Sequence, residues 1–390
     1  MLLSQIAPST PEGFAAELSD AALRNKSIAI VGNDSKLGMA GPAIETETVL
    51  STRRLVRVLR YEPKDLTVSV EAGVPFGDLQ ALLAQNGQMI ALDPPHAASA
   101  TVGGVVASDS SGPLRAGYGT ARDLVIGMTF ATLQGKLVRS GGMVVKNVAG
   151  LDMSKLMIGS FGTLAAITSV NFRVHSMPPR TETFLLTPRT LDEALEWRRA
   201  LRAGPLQPIA CDLLSPGAAS RLGRRGLLIA VLAAGSQPAL NRYRAAWPEA
   251  ESIVGETARV FWSGIREMFP ECMRAEPGGL VLKVSTTLTD MAAAWRELKD
   301  ESITVGRFLN GVTWTFEPDA SQASALLGGW TRRGWQAVVA YASHEFRMEQ
   351  TLWHIPEDPA ARNAFDVMEK VKQLFDPQQI LNRRRLYGRI

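Results

Sequence analysis

The sequence predicts an α+β protein made of two packed units and a C-terminal helix. The chain has 390 residues, which is more than a single domain usually contains, because domains commonly contain about 100–200 residues. Hydrophobic residues make up 46% of the chain and charged residues 21%, which is typical of a globular protein. The first half is rich in glycine, whereas strand-like and helix-like runs alternate in the second half. The two units are therefore expected to differ in architecture.

Charge and cysteine content argue against several classes of protein. The 42 Lys and Arg residues exceed the 38 Asp and Glu residues only slightly, so nucleic-acid binding is not indicated. Cys211 and Cys272 lack the spacing of zinc or iron–sulfur ligands, and we interpret them as buried thiols. Residues 1–13 lack a signal-peptide pattern, and the longest apolar run, 227–234, is too short to span a membrane. We expect a cytoplasmic protein, with docking at the inner membrane through partners left open.

The first half begins with a strand, a loop, a second strand and a helix. The apolar run 27–31 predicts a strand that enters a loop of turn-forming residues. Residues 66–71 alternate as a half-buried strand does. Residues 74–86 predict a helix, because Pro75 stands near its first turn and Gly87 lies just past its end.

Residues 101–170 contain 12 of the 34 glycines. Glycine at this density raises the entropy cost of folding, so we expect that the close approach to the backbone that glycine permits is needed there. Strand-like runs cover 125–133 and 164–174, with a hairpin turn around Gly135 and a short helix over 150–157. Pro178 and Pro179 interrupt the pattern, and we place the domain boundary there.

The second half contains a weak internal repeat. A strand-like run precedes Asp192 and Trp197, and residues 280–285 precede the similar pair Asp290 and Trp295. Strand-like runs around 209–214 and 311–316 follow. These runs predict two β-α-β halves in one antiparallel sheet with helices on one side, although chance similarity remains an alternative. Residues 359–374 predict a C-terminal helix.

The loop from Gly32 to Gly38 could hold a phosphate. Consecutive N–H groups released from a strand can converge on an anion without any charged side chain. The loop is neither a Walker A motif nor a Rossmann fingerprint, which argues against ATP and NAD. Taken alone, it could also be an ordinary Asn/Asp/Ser turn.

Two further stretches of small residues could face a ligand. One contains Pro94-Pro95-His96, Thr101-Val102-Gly103-Gly104 and Ser111-Gly112-Pro113. The other runs from Lys146-Asn147 to the segment Gly159-Ser160-Phe161-Gly162. Adjacent glycines let a planar ring or a pyrophosphate approach the backbone. Turns alone would not require three such stretches of small residues in one domain.

In this order, the motifs resemble those of the vanillyl-alcohol-oxidase type (PCMH-type) of FAD-binding family and, within it, the FAD-binding E subunits of bacterial glycolate oxidase. The resemblance covers residues 27–180 and the stretch from Phe375 to Asn382. It implies an α+β fold with a two-lobed PCMH-type FAD-binding domain and a ferredoxin-like antiparallel α+β cap domain. The expected units are residues 1–178, the cap over 179–357, and a C-terminal helix and tail over 358–390 that return to the FAD domain.

The resemblance also implies which residues bind the flavin. Those expected at the pyrophosphate are Gly32, Asn33, Asp34, Ser35 and Lys36. Those expected along the flavin, its ribitol chain and the adenine-side strand are Pro95, His96, Thr101, Gly103, Gly104, Ser108 and Ile167. The first loop has no His where relatives with a histidyl–flavin bond have one, so non-covalent FAD is expected.

Several charged residues keep two interpretations. His96 could be a loop histidine paired with a carbonyl, or it could contact the flavin. Arg115 and Lys146 could hold an anionic substrate or the charge of the reduced flavin, or could be solvated cations. Relatives close with Leu-Asn-Pro-Gly-Arg where this chain has Leu381-Asn382 and the run Arg383-Arg384-Arg385, so two arginines replace Pro-Gly. We interpret this run as a solvated tail, with docking to an acidic partner as the alternative.

Catalytic residues cannot be named from the sequence. Cap domains of the resembling dehydrogenases carry a histidine-rich metal-binding run, which is absent here, so no metal site is expected. His344 and His354 are the only cap candidates. Three hypotheses follow. The first is an FAD-bearing, electron-handling subunit of a glycolate-oxidising complex, which would also contain a second flavoprotein subunit and an iron–sulfur subunit. The second is a self-sufficient FAD 2-hydroxy-acid dehydrogenase, and the third is a mainly structural subunit.

Overall fold

The structure, a computed structural model, describes residues 4–143, 151–355 and 357–390. The strands are β1 (Ser4–Ile6), β2 (Ile28–Val31), β3 (Thr48–Ser51), β4 (Val58–Glu62), β5 (Thr67–Glu71), β6 (Gln88–Met89), β7 (Val125–Ala131), β8 (Leu137–Gly141), β9 (Ala166–Arg173), β10 (His175–Ser176), β11 (Thr181–Leu186), β12 (Ala210–Leu214), β13 (Leu228–Ala234), β14 (Glu251–Ile253), β15 (Leu280–Ser285), β16 (Ile303–Arg307), β17 (Val312–Glu317) and β18 (Gln336–Tyr341). The helices are α1 (Pro11–Leu23), α2 (Phe76–Ala84), α3 (Val102–Ala107), α4 (Arg115–Tyr118), α5 (Ala121–Leu124), α6 (Ser154–Met157), α7 (Leu191–Ala203), α8 (Pro216–Arg221), α9 (Gln237–Ala246), α10 (Gly255–Ala275), α11 (Met291–Arg296), α12 (Ala320–Arg332), α13 (His344–Glu349) and α14 (Pro359–Phe375).

A small parallel sheet of order β1-β3-β2 places the end of β2 near the C-terminal tail. Its strands pack against α1, whose Phe14 and Leu18 are fully buried. The predicted strand at 27–31 is confirmed as β2. The chain leaves this sheet at Gly32 and enters the first Gly-rich loop.

An antiparallel sheet of order β4-β5-β9-β7-β8 forms the second layer of the Gly-rich half. The predicted hairpin is confirmed, because β7 pairs with β8 and Gly135 adopts a φ of 72° in their turn. The predicted helix over 74–86 is confirmed as α2, and Gly87 follows it with a φ of 62°. Strand β5 was expected to be half-buried, but all its residues are buried, because β4 and β9 flank it and its Val68 and Val70 pack in the apolar core of this half. The short helix predicted over 150–157 is α6, which begins at Ser154.

The second half forms one antiparallel sheet of order β14-β11-β13-β12-β16-β17-β15-β18. Strands β11 to β14 and helices α7 and α9 make a ferredoxin-like β-α-β-β-α-β unit. Strands β15 to β18 with α11 and α12 make another, and β12 joins the units by pairing with β16. The sequence repeat is therefore confirmed, although each ferredoxin-like unit contains three more elements than the β-α-β pattern predicted.

Helices cover both faces of this sheet, so the prediction of helices on one side was wrong. Alternation along β11 sends Phe184 toward α7 and α9, and sends Leu185 toward the long helix α10. Helix α10 buries an apolar stripe that includes Phe261, Ile265 and Phe269. Its Glu267 reaches His96, so α10 lies between the sheet and the Gly-rich half.

The C-terminal segment returns to the first half. The predicted helix over 359–374 is confirmed as α14. Lys372 then donates hydrogen bonds to the carboxylate of Asp376 at 2.6 Å and to the carbonyl of Leu381 at 3.0 Å. Leu381 forms a parallel bridge with Ile28 of β2. These buried contacts fix the tail beside the first Gly-rich loop.

Candidate functional site

A pocket opens where β2, helix α3 and the C-terminal tail meet. We call it the first pocket. Its lining includes residues of the first loop, of helix α3 and its flanks, and of the C-terminal tail, together with Phe161: Gly32, Asn33, Asp34, Ser35, Lys36, Thr101, Gly104, Ser108, Phe161, Asn382, Arg383 and Arg385. The first pocket thus brings together eight of the twelve residues expected at the flavin. The other four residues named here, Phe161, Asn382, Arg383 and Arg385, were not in the expected set.

The first loop presents free backbone donors to this pocket. The amides of Asn33, Asp34, Ser35 and Lys36 donate no hydrogen bond to any residue that the structure describes. Asp34 adopts a left-handed φ of 56°, which is uncommon for a residue other than glycine and turns the loop sharply. Four consecutive free amides form a concave site of the kind that binds anions, so the loop fits a pyrophosphate.

Lys36 adds a cation beneath these amides. Its side chain is buried, and its ammonium donates a hydrogen bond to the carbonyl of Pro95. Burial lowers the pKa of Lys36 to about 8, although the carboxylate of Glu267 opposes the shift. An anion bound in the first pocket would therefore favour the charged form of this lysine.

Two tail residues complete the pocket wall. Asn382 accepts a hydrogen bond from the Ile30 amide at 2.7 Å and donates one to the Phe161 carbonyl at 2.7 Å. The guanidinium of Arg385 donates to the carbonyls of Met39, at 3.2 Å, and of Gly41. The tail therefore holds the first loop in place.

Arg385 was expected in a solvated tail, and for this residue the prediction was wrong. Burial lowers its pKa to about 10, and its guanidinium lies 5.9 Å from the centre of the Phe161 ring. Arg383, in contrast, is exposed while lining the first pocket. No local signal in the sequence distinguishes Arg385 from its two neighbours, because its partners lie almost 350 residues away in the chain.

The adjacent glycines Gly103 and Gly104 use their own amides within the protein. The Gly103 amide donates to the Ala72 carbonyl at 2.8 Å, and the Gly104 amide donates to the Thr101 hydroxyl at 3.2 Å. A Cβ atom added to Gly103 would lie 2.8 Å from the Cβ of Ala72, so this glycine permits close packing against the strand end. Gly104 lines the first pocket, whereas Gly103 does not.

Three other expected residues lie elsewhere. Ile167 is buried in the apolar core around β5 and β9. His96 lies outside the lining of the first pocket and pairs with Glu267, with 3.3 Å between its Nδ1 and the carboxylate. Pro95 lines a neighbouring pocket. His96 thus pairs with a carboxylate, not with the carbonyl that one interpretation expected.

His96 also has a constrained backbone. Its φ is 57°, and its amide donates to Glu267 at 2.7 Å. Burial lowers the pKa of His96, and the charge of Glu267 acts in the opposite direction. The pair joins the loop before α3 to helix α10.

A second pocket adjoins the first and shares Ser108 with it. It lies between the Gly-rich half and the eight-stranded sheet. Its ionisable and aromatic lining residues are Asp109, Arg115, Arg266, Phe269, Lys283, Arg307, Trp314, Tyr341 and Tyr387. The sequence singled out only Arg115 among these, because the others come from elements that meet only in the folded chain.

The remaining candidates stay apart from both pockets. His344 begins α13 and His354 follows Trp353, and neither lines the first or the second pocket. In the parts of the chain that the structure describes, no group of three or more His, Cys, Asp or Glu residues could hold a metal ion. Cys211 and Cys272 are free and buried, as predicted. Lys146 and Asn147 lie outside the described residues.

Part of the first pocket lies in a segment that resembles known proteins. A family model described as an FAD binding domain matches residues 4–141. We call residues 4–141 the FAD binding domain, after the family that they match. This FAD binding domain includes the first loop, Thr101, Gly104 and Ser108, while Phe161 and the tail residues of the pocket follow it in the chain. Free amides, Lys36 and the two arginines fit the pyrophosphate of FAD.

Two curated relatives differ in how much of the chain they match. The chain is 37% identical over 177 residues to glycolate oxidase subunit GlcE of Escherichia coli strain K12, which covers 44% of this chain and about half, 49%, of that protein. It is 25% identical to D-lactate dehydrogenase of Archaeoglobus fulgidus over 97% of this chain and 89% of that protein. The first match thus covers less than half of this chain, and the second covers nearly the whole chain.

A solved structure shows that the FAD binding domain and the eight-stranded sheet occur together in one fold. The structure of p-cresol methylhydroxylase with substrate bound superposes with a TM-score of 0.75 over 98% of this chain and 88% of that chain, at 16% sequence identity. The expected α+β fold with a PCMH-type FAD-binding domain is therefore confirmed. None of the helices in the described ranges is long and apolar enough to cross a membrane.

Proposed function

We propose that this chain is an FAD-dependent oxidoreductase that binds its flavin non-covalently in the first pocket and serves the oxidation of a small 2-hydroxy acid, with glycolate as the leading candidate. The observation that carries the proposal is the run of free amides from Asn33 to Lys36 inside a matched FAD binding domain. When bound, FAD accepts the hydride released by the oxidised carbon. The residues of the pocket bind and orient the cofactor.

Non-covalent attachment is supported by the residues around the first pocket. No His stands in the first loop, and no described residue that lines the pocket is a His or a Cys. His96, the nearest histidine in the sequence, pairs with Glu267. The flavin should therefore leave the protein when the fold is disrupted.

We further propose that the chain acts as a subunit. The similarity to a glycolate oxidase subunit supports an assembly of several subunits. The partners that we propose are a second flavoprotein subunit and an iron–sulfur subunit. In this arrangement the chain would hold FAD for electron transfer. Residues 1–178 would form the FAD-binding unit, residues 179–357 the cap, and residues 358–390 the returning helix and tail.

A second candidate is a self-sufficient FAD-dependent 2-hydroxy-acid dehydrogenase. Two observations favour it. The second pocket adjoins the first within the same chain, so a substrate could meet the flavin here. The similarity to a D-lactate dehydrogenase also extends over nearly the whole chain. A mainly structural subunit with an inherited flavin fold is the third hypothesis.

Flavin counting tests the proposal against the structural hypothesis. The purified chain should be yellow, and acid precipitation should release FAD into the supernatant. A colourless chain that does not take up added FAD would contradict the proposal. Flavin that stays with the precipitated protein would contradict non-covalent attachment alone.

Turnover and composition separate the other two candidates. A subunit should co-purify from its native host with iron and a second flavin, and the isolated chain should reduce an artificial dye slowly with glycolate. Rapid dye reduction by the isolated chain would favour the self-sufficient enzyme. The 2-hydroxy acid proposal fails if neither the isolated chain nor any complex containing it oxidises glycolate or lactate.

A further inference from the structure

Helix α14 has a wider apolar face than the described residues cover. Its covered side includes Phe365, which packs against the apolar cluster around α10, and Phe375, which packs against the core of the Gly-rich half. The helix is amphipathic, yet Lys372 is its only fully buried residue. A surface helix normally turns its apolar residues toward a core, so the apolar residues that stay outside need another explanation.

A second row of apolar residues runs along α14 beside the covered side. It consists of Ala360, Ala364, Val367, Val371 and Leu374, which are spaced by four, three, four and three residues. With about 3.6 residues per turn, this spacing keeps all five on one side of the helix, as at the a and d positions of a coiled coil. We call this row the α14 seam.

Most of the α14 seam is open to solvent. Val367 is 51% exposed and Leu374 is 78% exposed, and neither belongs to an apolar cluster of the described residues. The two alanines are also exposed, whereas Val371 is half-buried. Single exposed apolar side chains are common, but a continuous row without any charge indicates an interaction surface. Its heptad spacing fits another helix.

The size of the side chains changes along the α14 seam and indicates what that helix is. The seam begins with two alanines and ends with Leu374. If a second copy of α14 lies antiparallel, Ala364 faces Leu374 of the partner subunit, and Val367 faces Val371 of the partner subunit. A small residue opposite a large one fills the space between two helices, whereas a parallel copy would place alanine on alanine and leave a gap. The seam is therefore complementary to its own reversed copy.

The charges beside the α14 seam favour the same arrangement. Asp366 and Lys370 lie one turn apart on the exposed side of the helix. In an antiparallel pair the order of these charges is reversed, so Lys370 can reach Asp366 of the partner subunit. In a parallel pair each lysine would lie beside a lysine and each aspartate beside an aspartate. Antiparallel helices also align their dipoles in opposite directions.

We infer that the α14 seam is a dimer interface, in which two copies of this chain pack their α14 helices antiparallel about a two-fold axis. Each chain presents the same row to the other, as a closed two-fold interface requires. One helix per chain supplies less surface than the roughly 800 Å² per partner of a standard interface, so the dimer should dissociate reversibly. The inference goes beyond the proposed function and depends neither on the flavin nor on the substrate.

Sedimentation equilibrium over a wide range of protein concentration measures this association. The unmodified chain should approach twice the mass of one chain as its concentration rises. Val367→Asp should raise the dissociation constant roughly 100-fold or more, because a carboxylate would be buried against Val371 of the partner subunit without a partner charge. The matched control is Val260→Asp, at a 61% exposed valine of α10, which should leave the dissociation constant unchanged. Both variants should keep the FAD content and the circular dichroism of the unmodified chain.

Introduced cysteines test the direction of the two helices. The native Cys211 and Cys272 are both buried. A mixture of Ala364→Cys and Leu374→Cys chains should form a disulfide between chains under mild oxidation. Neither variant alone should do so, because the two copies of one residue lie well apart along antiparallel helices. These substitutions leave the seam apolar, so they test the interface even if Val367→Asp does not fold.

Three results would overturn the inference. The first is a chain that keeps the mass of one chain at every concentration, and the second is a dimer that is as stable in Val367→Asp as in the unmodified chain. The third is a disulfide in Leu374→Cys alone with none in the mixture, which would indicate parallel helices. A dimer of the expected kind that holds no FAD would contradict the proposed function alone, whereas an FAD-bearing chain that stays monomeric would contradict this inference alone.

Discussion

The side chain of Asn382 accepts a hydrogen bond from the backbone amide of Ile30 at 2.7 Å, across 352 positions of the chain. This bond attaches the C-terminal tail to the strand that leads into the first loop. Asn382 also adopts a φ of 42°, a left-handed conformation that asparagine tolerates better than most residues. The wall of the first pocket therefore depends on a residue at the far end of the sequence.

Asn382→Gly should destabilise the fold and weaken FAD binding. Glycine keeps the backbone conformation but removes both side-chain hydrogen bonds and leaves the Ile30 amide without its acceptor. We expect a loss of about 2–4 kcal/mol in the free energy of unfolding, measured by urea denaturation. The control is Asn25→Gly at an exposed residue with a φ of 51°, which should stay within about 0.5 kcal/mol of the unmodified chain. Equal effects of the two substitutions would contradict the role of Asn382.

Arg385→Lys should weaken FAD binding even though the charge is kept. The planar guanidinium donates to the carbonyl of Lys36 in the first loop and to those of Met39 and Gly41 just after it, and an ammonium on a flexible stem does not reproduce that fork. We expect FAD affinity to fall about tenfold, measured by fluorescence titration of the flavin-free chain. Arg384→Lys is the control, because among the described residues the Arg384 side chain donates only to the Met348 carbonyl, at 3.2 Å. If both variants bind FAD as the unmodified chain does, the first loop does not need Arg385.

FAD affinity should fall as the pH rises above about 8. The pKa of Lys36 is lowered to about 8 in the flavin-free chain, so its ammonium loses its proton there. Binding of the pyrophosphate favours the charged form, so FAD binding takes up a proton above this pH and weakens up to about tenfold per pH unit. Flavin titrations between pH 6.5 and 9.5 measure the slope.

The same titrations on two variants assign that slope. Lys36→Met should bind FAD more weakly at pH 7 and should lose most of the dependence on pH. Lys64→Met, at an exposed lysine, should keep both the affinity and the slope. If FAD affinity depends on pH as steeply in Lys36→Met as in the unmodified chain, the titrating group is not Lys36.

Glu267→Gln should lower the pKa of His96 further. Burial already holds this pKa below its usual value of 6.5, and the negative charge of Glu267 partly offsets the effect. Removing the charge removes that offset, whereas glutamine can still accept the His96 amide. Nitrogen-15 NMR titration of the histidine side chains measures the shift. An upward shift, or none, would show that the two side chains do not interact as the structure describes.

The sequence predicted most of the local structure and the part of the site that is local. Strand β2, the loop from Gly32 to Lys36 and helix α2 follow from apolar runs, turn-forming residues and Pro or Gly at helix ends. The resemblance placed Ile167 near the adenine, yet this residue lies in the apolar core, and alternation alone does not tell which face of a strand meets a ligand. Local patterns carry no information about partners that are distant in the sequence.

The missed residues illustrate that limit. Arg385 and its two neighbours form a uniform basic run, and the fold shows that Arg385 is the one that donates hydrogen bonds to the carbonyls of Lys36, Met39 and Gly41. Lys283 is the single charged residue of strand β15, and the sequence does not show that it lines the same pocket as Arg115. The sequence of helix α10 has the pattern of an amphipathic helix, and this pattern does not show that Glu267 contacts the other half of the molecule.

The most direct test of the account is the number of FAD molecules bound per chain in a charge-reversal series. We predict close to one FAD, released by acid, for the unmodified chain and for Lys64→Glu, and close to none for Lys36→Glu. Circular dichroism should show that all three chains are folded. A folded Lys36→Glu chain that retains one FAD would contradict the placement of the pyrophosphate, and an unmodified chain that binds no FAD would contradict the account as a whole.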